Sequence, residues 1–117
     1  MPAWSSRSLG RKSSNVPGTG RVVDVGFLPA AEIDYQLAWS WYESQSGRAA
    51  ARFETAVEVG LRRIAAGPEH YGFVDQSHRS YILRRFPYSI IYRTLPNLVL
   101  VVALAHSSRD AFWQVRQ

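Results

Sequence analysis

Beyond residue 78 the apolar residues of this chain change their period, and that switch limits the folds open to it. Three runs rich in Ile, Val, Leu and Tyr follow one another there, RSYILRRF, YSIIYR and NLVLVVALAH. That composition suits strands. Pro87 interrupts the first two runs and marks an edge, a bulge or a tight bend. TLPN, residues 94–97, is a turn between antiparallel strands. LVLVVALA is almost wholly apolar, as a central strand covered on both faces should be.

Upstream the period is helical. From Ala30 to about Ser46, Ile33, Leu37 and Trp41 recur at i, i+4, i+8, and Ala30 and Ala38 extend the stripe toward a core. Pro29 suits the first turn and Gly47 a stop. A second helix is predicted from about Arg48 to Ala66. Phe53, Val57, Leu61 and Ile64 form its inner stripe, Glu54 and Glu58 lie outside, and Glu58 pairs with Arg62. Gly67-Pro68 ends it. Helices joined by so short a link form an antiparallel hairpin. RVVDVGFLP, residues 21–29, reads as a first strand with Val23, Val25 and Phe27 on one face. Residues 68–78 form a polar loop, and Asp110 can cap a last short helix containing Phe112, Trp113 and Val115. The order is β-α-α-β-β-β. The expected fold is α+β, a helix hairpin packed on a small antiparallel sheet, with a short C-terminal helix.

A chain of 117 residues fits one domain with a modest core. There is no cysteine, which excludes a disulfide scaffold and a Cys-based zinc site. No apolar run approaches the roughly 18 to 20 residues of a membrane span. The basic N-terminus lacks the apolar stretch of a secretory signal. These features lead to the expectation of a cytoplasmic protein without membrane contact. Charge divides the chain. Residues 1–21 carry +4, residues 22–78 carry −4 and residues 79–117 carry +5, and of the fourteen basic residues only Lys12 is not Arg. Residues 1–21, rich in Ser, Gly and Pro, read as a disordered basic extension or an added or mis-assigned start, and residues 22–117 as the domain. The C-terminal basic third draws nucleic acid or an acidic partner.

Arginines also punctuate the strands. On a flat strand Arg79, Tyr81, Leu83 and Arg85 share one face, while Ile82, Arg84 and Phe86 share the other. Arg84 and Arg85 cannot both be solvated unless the chain bends near Pro87. A bend would set arginines and tyrosines around one concave surface. The competing reading pairs these arginines with the acidic helices. His70 and His78 lie in the polar loop without metal-ligand spacing, so neither metal nor cofactor is expected.

Taken in order, several motifs resemble the RelE/ParE toxins of bacterial type II toxin–antitoxin systems. FLPAAEIDYQLAWSWYE, with Trp41, Tyr42 and Glu43, looks like the end of that family's first strand and its first helix. RFETAVEVGLRRIAAGPEHYG looks like its second helix and loop, YILRRFPYSIIYR like its strand pair, and VVALAHSSRDAFW like its last strand. The resemblance spans residues 23–116. It implies a toxin neutralised by a small acidic antitoxin that carries a DNA-binding part, the two forming a hetero-oligomer. Two branches follow. ParE-like members, a group tied to plasmid stabilisation, poison DNA gyrase. RelE-like members cut mRNA on the translating ribosome without a metal. In the nuclease branch His106, Arg84 and Arg109 match catalytic positions. The chain has no Lys after Lys12 and carries Phe112 and Trp113 where a terminal Tyr would stand, so the resemblance leans to the ParE side. A relic that only binds partners is the third reading. Arg79, Arg84, Arg85 and Arg109 are candidates for contacting the target or a phosphate. Trp39, Tyr42, Arg85 and Trp113 are candidates for the antitoxin surface. His106 has a second reading as a hydrogen-bonded strand-end residue, and Arg109 as the local partner of Asp110.

Overall fold

A computed structural model describes residues 23–107 and 112–116. The expected disordered extension at 1–21, the cap at Asp110 and the candidate Arg109 lie outside the described residues. The elements run β1 (Asp24–Phe27), α1 (Pro29–Gln45), α2 (Gly47–Ala66), β2 (Arg79–Ile82), β3 (Tyr88–Leu95) and β4 (Leu98–His106), with 3-10 turns at Pro68–His70 and Phe112–Val115. The fold is α+β, as the sequence indicates.

One residue separates the helices. Ser46 is extended; its N–H donates to the Tyr42 carbonyl, and its hydroxyl accepts from the Ala49 N–H at 3.0 Å. It thus closes α1 and caps α2, meeting one orphan donor at the helix start. The N–H of Gly67 closes α2 on the carbonyls of Arg63 and Ile64.

The sheet order is β1-β4-β3-β2. β2, β3 and β4 are antiparallel neighbours, while β1 lies parallel to β4, Asp24 opposite Leu98 and Phe27 opposite Val101. The sheet is therefore mixed rather than wholly antiparallel. The parallel pair is possible because the entire helix hairpin supplies the long crossover that such pairing needs. The predicted turn is a two-residue loop, Pro96-Asn97, with Asn97 in the left-handed region that Asn tolerates (φ 62°).

As expected, β4 is buried on both faces. Val99, Val101 and Leu104 join Phe53, Val57, Ile64, Tyr81, Ile90 and Tyr92 under the helices, and Val102, Ala103 and Ala105 pack with Ile91, Leu28 and Trp113 on the other side. The change of phase comes from a bulge between Ile91 and Tyr92, where β4 carries one extra residue, Val102. Past Val101, β4 no longer has β1 beside it. Asp34 of α1 accepts the Leu104 N–H at 3.1 Å, and Arg116 donates to the Val102 carbonyl at 2.9 Å. Arg116 and Asp34 also pair with each other at 2.8 Å. The ion pair thereby stands in for the missing strand.

The face of α1 corrects the sequence reading. Ala31, Tyr35 and Ala38 are buried, whereas Ile33, Leu37 and Trp41 stand 55%, 67% and 57% exposed. Apolar residues surround α1 on most sides, so periodicity alone could not select the inner face. The alanines let the helix lie close to the sheet, and the three large side chains remain outside as a ridge. In α2 the expected stripe is inside: Phe53, Val57 and Ile64 are buried and Leu61 packs against them.

Candidate functional site

β2 ends at Ile82, and the Leu83 N–H donates to the Tyr88 carbonyl at 2.9 Å. Arg84 to Pro87 therefore form the tip of the β2–β3 hairpin. Both arginines are exposed there, which resolves the conflict that a flat strand would create. Arg85 sits at φ 68°, a backbone region that favours Gly or Asn and costs a long side chain.

This tip faces the first half of α2. Together they wall an open groove of about 700 Å³, lined by Arg48, Arg52, Arg84 and Arg85 around Tyr42 and Phe86. A second, adjoining hollow carries it along α2 to Arg63 and Tyr81. Arg48 and Arg52 open a helix whose first turn holds no acid. Arg48, in the first turn, meets the positive end of the helix dipole, and Arg48 and Arg52, four residues apart, repel each other. Among the described residues none of the five arginines forms an ion pair. The pairing with the acidic helices that the competing reading offered is therefore not seen for these five arginines among the described residues. The sequence reading missed Arg48, Arg52 and Arg63. Their signal was the row of like charges along one side of a helix.

The remaining candidates are placed as follows. Arg79 is turned into its own fold: Nη1 donates to the carbonyls of Tyr71 at 2.6 Å and Glu69 at 3.4 Å, and the guanidinium lies 3.9 Å from the Phe73 ring centre. It clamps the loop after α2. The same loop is held by Tyr92, whose hydroxyl donates to the Pro68 carbonyl at 2.6 Å; burial pushes that phenol up to about 12. Asp75 accepts the backbone N–H groups of Ser77 and His78 and the His78 ring. These bonds, the Ser77 amide foremost, hold its carboxyl down to about 2. His106 ends β4 opposite Tyr88, with the two rings edge to face at 5.0 Å. Tyr88 in turn abuts Phe53 and Tyr42. His106 is not among the residues lining the arginine groove. Trp39 and Trp113 are half-buried against the two cores. Tyr42 is half-buried too, packed on Phe53 and Phe86. Burial and the neighbouring Tyr88 raise its pKa, so it stays a neutral hydroxyl. The exposed tryptophan of the WYE motif is Trp41, set edge-on to Tyr42 at 5.0 Å.

The arrangement can hold anions at several points. Among the described residues it places no His, Asp or Glu beside them. A basic groove, a hairpin tip built on RRFPY and an apolar ridge on the first helix form the surface to be explained.

No curated protein matches the chain. Among solved structures, one described as the chromosomal ParDE TA system from P. aeruginosa is similar in fold, with a TM-score of 0.64 at 12% identity, over 73% of this chain and 96% of that one. The family model described as the ParE toxin of the type II toxin-antitoxin system, parDE, matches residues 25–111. That match takes in both helices, β2 to β4, all of β1 but Asp24, and every arginine of the groove, and the chain belongs to the ParE toxin family of type II toxin–antitoxin systems.

Proposed function

We propose that this chain is a growth-inhibiting toxin that acts on DNA gyrase by binding, and that a co-expressed acidic antitoxin holds it inactive in a hetero-oligomer. The observation that carries the first part is that His106 is not among the described residues lining the arginine groove. Cleaving RNA through its 2′-hydroxyl needs a base, a cation and an acid at one phosphate. Here the cations line a groove with no His, Asp or Glu among its described lining residues, while the His106 ring meets Tyr88 edge to face. A surface of this kind favours holding over cutting. Arg84 and Arg85 are its target-facing residues.

The antitoxin has a separate place to dock. Ile33, Leu37 and Trp41 form an exposed apolar ridge, and such ridges take an amphipathic segment. Of the sequence candidates, Trp39 and Trp113 are already partly covered by their own core. Trp41 takes over their role, with Tyr42 behind it and Arg85 across the groove for an acidic side chain.

The test uses purified full-length chain with gyrase, ATP and relaxed plasmid. Inhibited supercoiling is expected. Arg84→Ala or Arg85→Asn should weaken it at least tenfold, and His106→Gln should leave it unchanged. The reading fails if gyrase is unaffected while ribosome-bound mRNA is cut in a manner lost with His106→Gln.

A further inference from the structure

The groove holds more charge than a contact with one acidic side chain requires. Arg48, Arg52 and Arg63 stand on one side of α2, fifteen residues from first to last, so the row spans roughly 22 Å at about 1.5 Å per residue. Arg84 and Arg85 face it from the hairpin tip. Three features make this row costly for the fold by itself. Arg48 opposes the dipole at the start of α2, it and Arg52 repel at i, i+4, and Arg85 occupies a left-handed backbone position. Side chains kept at such positions, with no ion pair among the described residues, are poised for a ligand that carries repeated negative charge.

Aromatic rings accompany the charge. Tyr42 and Phe86 line the groove, and Trp41, 57% exposed, stands against Tyr42 at its edge. An arginine rail with flat rings beside it suits a single nucleic-acid strand, whose phosphates track the cations while unpaired bases stack on the rings. An extended acidic peptide fits less well. Its backbone amides would need partners, yet the walls offer mainly alanine, arginine and aromatic side chains, and the α2 backbone is committed within the helix.

We propose that the groove between α2 and the β2–β3 hairpin binds a single nucleic-acid strand through its phosphodiester backbone, without reading sequence. This binding is independent of the gyrase reading and requires no gyrase. The overall charge of +5 and pI near 10.1 steer such a ligand to the protein.

The experiment is fluorescence anisotropy of the full-length chain with a labelled oligothymidylate of about 12 nucleotides, within the usual site size for one small domain. Affinity should fall with salt at a log–log slope of about −3, the value for four to five neutralised phosphates on a single strand. Arg52→Ala and Arg85→Asn should each weaken binding severalfold and reduce the slope by about 0.7. Arg85→Asn suits the left-handed position, so its loss of binding cannot be ascribed to misfolding. Trp41→Ala should weaken binding about tenfold with the slope unchanged. Arg62→Gln, exposed on α2 outside the groove, should have little effect. The proposal is overturned if the oligomer does not bind at low salt, or if the groove variants bind as the parent does. It is equally overturned if a glutamate-rich peptide of matched charge binds as tightly with the same dependence on Arg52 and Arg85.

Discussion

Gly60 shows how little room separates α2 from the sheet. A Cβ there would lie 2.8 Å from Tyr81 Cε1 and 3.0 Å from Ile90 Cδ1, and both side chains are buried. Gly60→Ala gains about 1 kcal/mol of helix propensity. Overpacking of a fixed core costs about 1–3 kcal/mol. The second effect wins, and a net loss of about 1 kcal/mol is expected in urea titrations. At Gly47 nothing lies within 4 Å of the added methyl, so Gly47→Ala should be neutral or gain up to about 1 kcal/mol. Equal effects at both positions would contradict the close approach. Single residues are only partly legible in the sequence. Phe53, Val57 and Ile64 are legible because α2 is sharply amphipathic. Ile33, Leu37 and Trp41 are misread as core because hydrophobicity measures the gain from burial and ignores how close two backbones approach. Where Ala31 and Ala38 set a short distance, the larger side chains have no space inside.

At the scale of elements, the strands of the C-terminal half are legible from their composition and the Pro96-Asn97 turn. The position of β1 is not. A short strand of four residues carries no signal for its neighbour, and its parallel pairing with β4 follows from the hairpin crossover. Nor can sequence show that β4 outruns β1. The exposed edge of β4 there is met by Asp34 and Arg116, whose side chains are only 15% and 20% exposed. Removing Asp34 strands the Arg116 guanidinium's ion-pair side together with the Leu104 N–H. Asp34→Ala should therefore destabilise the chain by about 3 kcal/mol, the scale for breaking a largely buried pair. Thermal unfolding monitored by circular dichroism checks this. A loss below about 1 kcal/mol, the range of surface pairs, would mean that the pair is not what completes the edge. The loop after α2 illustrates the same limit. Arg79 alternates correctly on β2, yet its guanidinium turns back to the carbonyls of Tyr71 and Glu69, a contact that no strand pattern encodes.

Over the whole molecule, charge and apolar surface are sorted onto different places. Arg48, Arg52 and Arg63 of α2 and the arginines of the hairpin tip line adjoining hollows, the apolar ridge lies on α1, and Trp41 stands against the groove-lining Tyr42. On the proposed reading, an antitoxin seated on the ridge would border the surface assigned to the target, which would give neutralisation a direct physical route. The basic third is legible from composition alone. Its partition is not, because Arg79 and Arg116 are consumed by the fold while Arg48, Arg52 and Arg63 join from an otherwise acidic segment. We propose that this ParE-family chain arrests growth by binding and not by cutting RNA. The most direct test is brief expression of the full-length chain without antitoxin, following growth, transcript 5′ ends and DNA covalently held by gyrase. Growth arrest with trapped gyrase–DNA and no new 5′ ends within translated codons is the predicted result. Arrest accompanied by new ends within codons, and abolished by His106→Gln, would contradict it.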